Sequence, residues 1–140
     1  RALVYLEASS SAGVVTKVLS STGGGGGGGS GVFTLGVFVP GALPTGALVR
    51  YVVTEAITLS DEIAGSQGNV VTPPSASQAL EIYRNATQIG TITISTGGAF
   101  TFATTGGGNE TFAPGDVLSV RCTTSVGGIT DLAVTLKGTR

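Results

Sequence analysis

Residues 88–102 read Gln-Ile-Gly-Thr-Ile-Thr-Ile-Ser-Thr-Gly-Gly-Ala-Phe-Thr-Phe. In Ile92-Thr93-Ile94, and again in Phe100-Thr101-Phe102, every second side chain is apolar and the one between is a threonine. Successive side chains of a strand point to opposite faces, so each run describes a half-buried strand. Gly97-Gly98 lies between them and can supply the positive φ of a tight hairpin. The same alternation returns in Leu132-Ala133-Val134-Thr135-Leu136. No segment places apolar residues at i, i+3, i+4 and i+7 over three turns, so no amphipathic helix is predicted.

Working outward, the candidate strands are Ala2 to Glu7, Val14 to Leu19, Val32 to Val39, Ala47 to Leu59 (broken near Glu55), Ala79 to Arg84, Ile89 to Ser95, Ala99 to Ala103, Asp116 to Thr123 and Asp131 to Lys137, about nine in all. Ala113-Pro114-Gly115-Asp116 puts Pro and Gly at the centre of a type II turn, and Val39-Pro40-Gly41-Ala42 repeats the signal. Short strands at this spacing predict an all-β, antiparallel β-sandwich, with a jelly roll the natural arrangement for eight or more. Two stretches fall outside the pattern. Ile63 to Ser77 reads as a long polar loop stiffened by Pro73-Pro74, the length at which loops are usually functional or mobile. Gly23 to Gly29 is an unbroken glycine run.

The composition excludes more than it assigns. The chain has 140 residues, enough for one core, with 24 Gly, 20 Thr, 16 Val, one Cys and no His, Met or Trp. Without His there is no Ser-His-Asp triad, Cys-His dyad or His-ligated zinc, so the expectation is a non-enzyme. A net charge of -1 with 11% charged residues offers no basic face for phosphates, so nucleic acid is not an expected partner. No apolar run long enough for a transmembrane helix is present, and no membrane insertion is expected. A chain without Met that begins at Arg1 is expected to be a processed product or a piece of a longer polypeptide. Cys122 falls in the apolar phase of Val117 to Cys122, where a small buried hydrophobe belongs.

Chemistry-bearing motifs are sparse. The glycine run leads into Val32-Phe33 with neither a helix nor a lysine behind it, which argues against a phosphate cradle. It reads either as a flexible tether with a reach of ~15 Å or as backbone ordered by close packing against copies of itself or a neighbour. Asp61 and Glu62 are adjacent, so their carboxylates diverge in an extended segment, and no second acidic pair has the spacing of a glycosidase dyad; a pair assembled by folding among Glu55, Asp61, Glu62, Glu81, Glu110, Asp116 and Asp131 stays open. Gly107-Gly108-Asn109-Glu110 offers too few oxygens for calcium, so no metal and no cofactor are expected. Asn85-Ala86-Thr87 and Asn109-Glu110-Thr111 match the glycosylation acceptor pattern, which a threonine-rich chain produces by chance. The side chains suited to a sugar are Arg50 with Tyr51, Tyr83 with Arg84, and Tyr5, together with Gln67 and Asn69 in the long polar loop. Each tyrosine has a second reading as a core or interface aromatic.

The C-terminal succession is more specific as a whole. Gln88 to Ile94, Gly97 to Phe102, Phe112-Ala113-Pro114-Gly115-Asp116-Val117-Leu118-Ser119-Val120, and Ile129-Thr130-Asp131-Leu132-Ala133-Val134-Thr135-Leu136-Lys137-Gly138 together resemble the terminal domain of tailed-bacteriophage fibre and related virion proteins. Phe33 to Gly41 and Ala64 to Gln67 are similar to that group too. The likeness covers 32–140 and leaves 1–31 as an N-terminal attachment or extension. Neither the glycine run nor Cys122 belongs to the pattern, so no role is carried over to them.

The resemblance implies a β-sandwich or jelly-roll module of a virion, commonly a homotrimer in contact with other virion proteins, used for attachment to host-surface glycan at a fibre or spike. The alternative in the same particle is a capsid decoration, cement or head-fibre protein whose purpose is mechanical. A third reading is an adhesion domain of a secreted cellular protein. A small, nearly neutral sheet protein without disulfides must protect its strand edges, and subunit association is one way to do so.

Overall fold

The computed structural model describes residues 31–140, together with the backbone of two short strands, Ala8–Ser9 (β1) and Val15–Thr16 (β2). The strand expected over Ala2 to Glu7, Tyr5 and the run Gly23 to Gly29 lie outside the described residues. Ten further strands follow: β3 (Val32–Ala42), β4 (Gly46–Val52), β5 (Ile57–Leu59), β6 (Gln67–Asn69), β7 (Gln78–Arg84), β8 (Thr87–Ile94), β9 (Phe100–Thr104), β10 (Glu110–Phe112), β11 (Val117–Cys122) and β12 (Thr130–Thr139). Among the described residues the only helical element is a 3-10 turn at Asp61–Ile63.

The strands form two antiparallel sheets. One runs β1-β2-β3-β12-β5-β10, with β6 also pairing to β12, and the other runs β4-β11-β7-β8-β9. Without the N-terminal pair, β6 and the added edge strand β9, the orders β3-β12-β5-β10 and β4-β11-β7-β8 are those of a jelly roll. The expected fold class holds.

Alternation decides which side chains fill the space between the sheets. Phe33, Leu35, Val37 and Val39 of β3 face inward, as do Leu132, Val134 and Leu136 of β12. The opposite sheet supplies Leu80 and Ile82, Ile92 and Ile94, and Leu118, Val120 and Cys122. Each fully buried Leu or Ile contributes about 1.5–3 kcal/mol relative to exposure, so this two-layer core is the main source of stability.

The turns follow local chemistry with two corrections. Gly98 has φ +83 and its N–H donates to the Ser95 carbonyl, closing the β8–β9 hairpin. Gly115 has φ +94 and the Asp116 N–H donates to the Ala113 carbonyl, as the Pro-Gly signal requires of a type II turn. The second Pro-Gly pair, by contrast, is no turn. β3 runs through it to Ala42, and Pro40 and Gly41 stand opposite the single residue Asp131 in a bulge. Gly41 takes φ +72 there and its N–H donates to Asp131 Oδ1 at 2.8 Å. Proline's missing donor is tolerated because the bulge leaves one residue unpaired.

The second correction concerns Ile63 to Ser77. That stretch is not a structureless loop: Gln67–Asn69 forms β6, registered against β12 as Gln67 to Thr135, Gly68 to Val134 and Asn69 to Ala133, and Thr72 bridges to Thr130. The segment Ala47 to Leu59 does break as expected, at Val53 to Ala56, into β4 and β5.

Candidate functional site

The outward phase of β3, β12 and β6 makes the most distinctive surface among the described residues. Thr34, Gly36 and Phe38 alternate with the buried residues of β3, and Ala133, Thr135 and Lys137 do the same on β12. Register sets them in rows: Phe38, Ala133 and Asn69 in one, Gly36, Thr135 and Gln67 in the next. Neighbouring strands are ~4.8 Å apart, so Phe38 and Asn69 face each other across about 10 Å of small side chains.

The missing side chain at Gly36 and the short ones at Ala133 and Thr135 leave a shallow groove of about 370 Å³. It is lined by Thr34, Gly36, Val37, Phe38, Ala133, Val134 and Thr135. None of these is ionisable. Phe38 is 41% exposed, an aromatic ring placed where alternation calls for a small or polar side chain. Gln67 and Asn69 are exposed on the opposite flank.

Of the seven side chains suited to a sugar, Tyr5 lies outside the described residues and Arg84 is paired with Glu110; the other five divide three ways. Gln67 and Asn69 come together beside the groove. Arg50 and Tyr83 lie on the outer face of the other sheet, on either side of Ser119, opposite which register places both. Tyr51 joins neither: it is half-buried, packed on the core with its ring 5.7 Å from that of Phe33, so it takes its core-aromatic alternative.

On this face Tyr83 is engaged from within, whereas Arg50 is exposed. The Arg121 guanidinium lies 4.2 Å above the Tyr83 ring, occupying a face a sugar would need. The Tyr83 hydroxyl donates to Glu81 Oε2 at 3.2 Å, and Thr123 Oγ1 donates to Glu81 Oε1 at 2.6 Å. Ser119 lies beneath with its hydroxyl buried and without a hydrogen-bond partner among the described residues.

The remaining candidates are structural. The Asn85 amide donates from Nδ2 to Asp116 Oδ1 and accepts the Val117 N–H, so the first glycosylation triplet holds a hairpin to β11. Asn109 Oδ1 accepts the Asp61 N–H. Arg84 Nη1 donates to Glu110 Oε2 at 2.9 Å and to the Thr111 carbonyl at 2.8 Å, pinning β10. Burial, and then the charge of Glu81, push the Cys122 thiol up, away from the thiolate a nucleophile needs. No group of three or more His, Cys, Asp or Glu suited to a metal occurs among the described residues.

Sequence reasoning missed Phe38 and Thr135. The signal for Phe38 was present: in Thr34-Leu35-Gly36-Val37-Phe38-Val39 it is the one large apolar residue in the phase opposite to Leu35, Val37 and Val39.

Compared with known proteins, the chain matches no family model, no curated protein and no solved structure.

Proposed function

We propose that this chain is a non-catalytic module of a bacteriophage virion, placed at a tail fibre or spike as a homotrimer and used to attach to host-surface glycan. The observation that carries the reading is the coincidence of motif and fold. The C-terminal stretches that resemble phage fibre domains are β8, β9, the β10–β11 turn with β11, and β12, which supply three of the five strands of one sheet and, in β12, a central strand of the other. Catalysis is disfavoured by the absence of His and by a cysteine held buried in its thiol form. Trimer formation fits a sheet whose β4 and β9 are edge strands among the described residues, since edge strands are protected by covering them.

The test is imaging of intact particles with an antibody to this chain, paired with adsorption of particles from which the domain is deleted. The expected result is a few copies at the tail and lost adsorption. Normal adsorption overturns the reading, and copies spread over the capsid shell replace it with decoration.

A further inference from the structure

We propose that the groove over Gly36, between Phe38 on one flank and Gln67 and Asn69 on the other, is a binding site for a neutral oligosaccharide. The inference rests on the attachment reading and gives it a location and a ligand chemistry.

The volume comes first. At about 370 Å³ the groove falls at the lower end of the size range of small-ligand sites.

Charge then selects among ligands. All seven lining residues are uncharged, and the nearest ionisable side chains along β12, Lys137 and Asp131, lie at its two ends and carry opposite signs. An acidic sugar, a phosphate or a basic peptide finds no counter-charge at the centre, whereas an uncharged polar ligand meets matching chemistry.

Polar and apolar groups are also divided as a sugar requires. A pyranose offers a C–H face and a rim of hydroxyls. Phe38 supplies an exposed ring for the first. Gln67, Asn69 and Thr135 supply donors and acceptors for the second. The side-chain amides of Gln67 and Asn69 make no hydrogen bond with other described residues, and being two apart on one strand the two residues have Cα atoms about 6.6 Å apart and share a face. The platform is rigid, because Gly68 between them is packed against Phe100 and pairs with Val134.

The experiment is titration of the full 140-residue chain, followed by amide NMR, with neutral oligosaccharides of glucose, galactose, mannose and N-acetylglucosamine, and separately with glucuronate and N-acetylneuraminate. The expected result is shifts centred on Gly36, Phe38, Gln67, Asn69 and Thr135 with at least one neutral sugar. Phe38→Ala should weaken binding about tenfold or more, and Asn69→Ala and Gln67→Ala several-fold. Because Phe38 is exposed and the amides are on the surface, these variants should keep the parent's peak dispersion, and Thr135→Val provides a second probe should Phe38→Ala unfold. Shifts elsewhere, preference for the acidic sugars, undiminished binding by Phe38→Ala, or shifts that follow protein concentration alone, as a second copy in the groove would give, each overturn the site. If no sugar binds while deleted particles still fail to adsorb, the groove is wrong and the attachment reading survives; normal adsorption removes the attachment reading whatever the titration gives.

Discussion

The ring of Phe100 on β9 occupies the space that a Cβ on Gly68 of β6 would need. This contact joins the two sheets at the side where β6 fills the place beside β12 that the short β5 leaves open, since β5 reaches β12 only at Thr139. Any side chain at 68 must push an aromatic ring that is already stacked on Phe102, at 6.3 Å between centroids. Gly68→Ala is therefore expected to lower unfolding free energy by about 1–3 kcal/mol, the usual cost of overpacking. Equilibrium denaturation checks it. Phe100→Leu in the same chain should recover part of the loss, and strict additivity of the two changes would mean they do not share this contact.

Gln78 is a buried polar residue, 1% exposed, whose hydrogen-bonding capacity is well used. Its Nε2 donates to the carbonyls of Thr124, at 2.7 Å, and Ala79, at 2.8 Å, and its Oε1 accepts the Val126 N–H at 2.9 Å. One side chain on β7 thus fixes the connection from β11 to β12. Gln78→Leu keeps the volume but removes the partner of the Thr124 carbonyl, which is exposed, and of the Val126 N–H, which is half-buried, at a cost of about 0.5–1.5 kcal/mol for each hydrogen bond lost. Hydrogen exchange should show the amide of Val126 losing protection first, and unchanged protection there would refute the role.

How much of this was legible in the sequence depends on whether the signal was local. β8, β9, β11 and β12 announce themselves because alternation and glycine turns lie within a dozen residues. Gln67-Gly68-Asn69 and Glu110-Thr111-Phe112 carry no such signal, and they become strands because β12 and β5 lend them a backbone ladder. Pro40-Gly41 failed for another reason: a positive φ at glycine serves a turn and a bulge equally well, and only Asp131, distant in sequence, decides between them. The same holds for the surface. The polarity of Gln67 and Asn69 could be read directly, whereas Arg50 and Tyr83 come to lie on either side of Ser119 only through strand order.

Asp116 gives the fold a dependence on pH. Its carboxyl is held below the ordinary carboxylate range by the Asn85 side-chain amide, then by the Ala113 N–H, and further by the charge of Arg84. The unfolded chain therefore takes up this proton at a higher pH than the native state does. The stabilisation is present above the ordinary aspartate range and is lost as pH falls through the lowered native value. Stability measured by urea melts should decline in that acid window, and Asp116→Asn should flatten the part of the decline due to this residue. A decline of the same size in Asp116→Asn would assign it to other carboxylates.

Cys122 offers a direct reading of global opening. Its side chain is fully buried between the sheets, 3.7 Å from the Gln78 amide nitrogen, and both burial and the charge of Glu81 favour the thiol over the thiolate. The thiolate is the reacting form, so native protein should resist alkylation by iodoacetamide near neutral pH, and the reaction should proceed only through molecules that open. In that regime the rate follows the population of the open state. A variant destabilised by about 1.4 kcal/mol should then react about tenfold faster. Gly68→Ala and Gln78→Leu should both accelerate labelling by about tenfold for each 1.4 kcal/mol of measured lost stability, with Gln78→Leu exceeding that factor because it also frees the segment that follows Cys122. Fast labelling of the unmodified chain, at a rate indifferent to both substitutions, would place the thiol at the surface and contradict the packing described for β11.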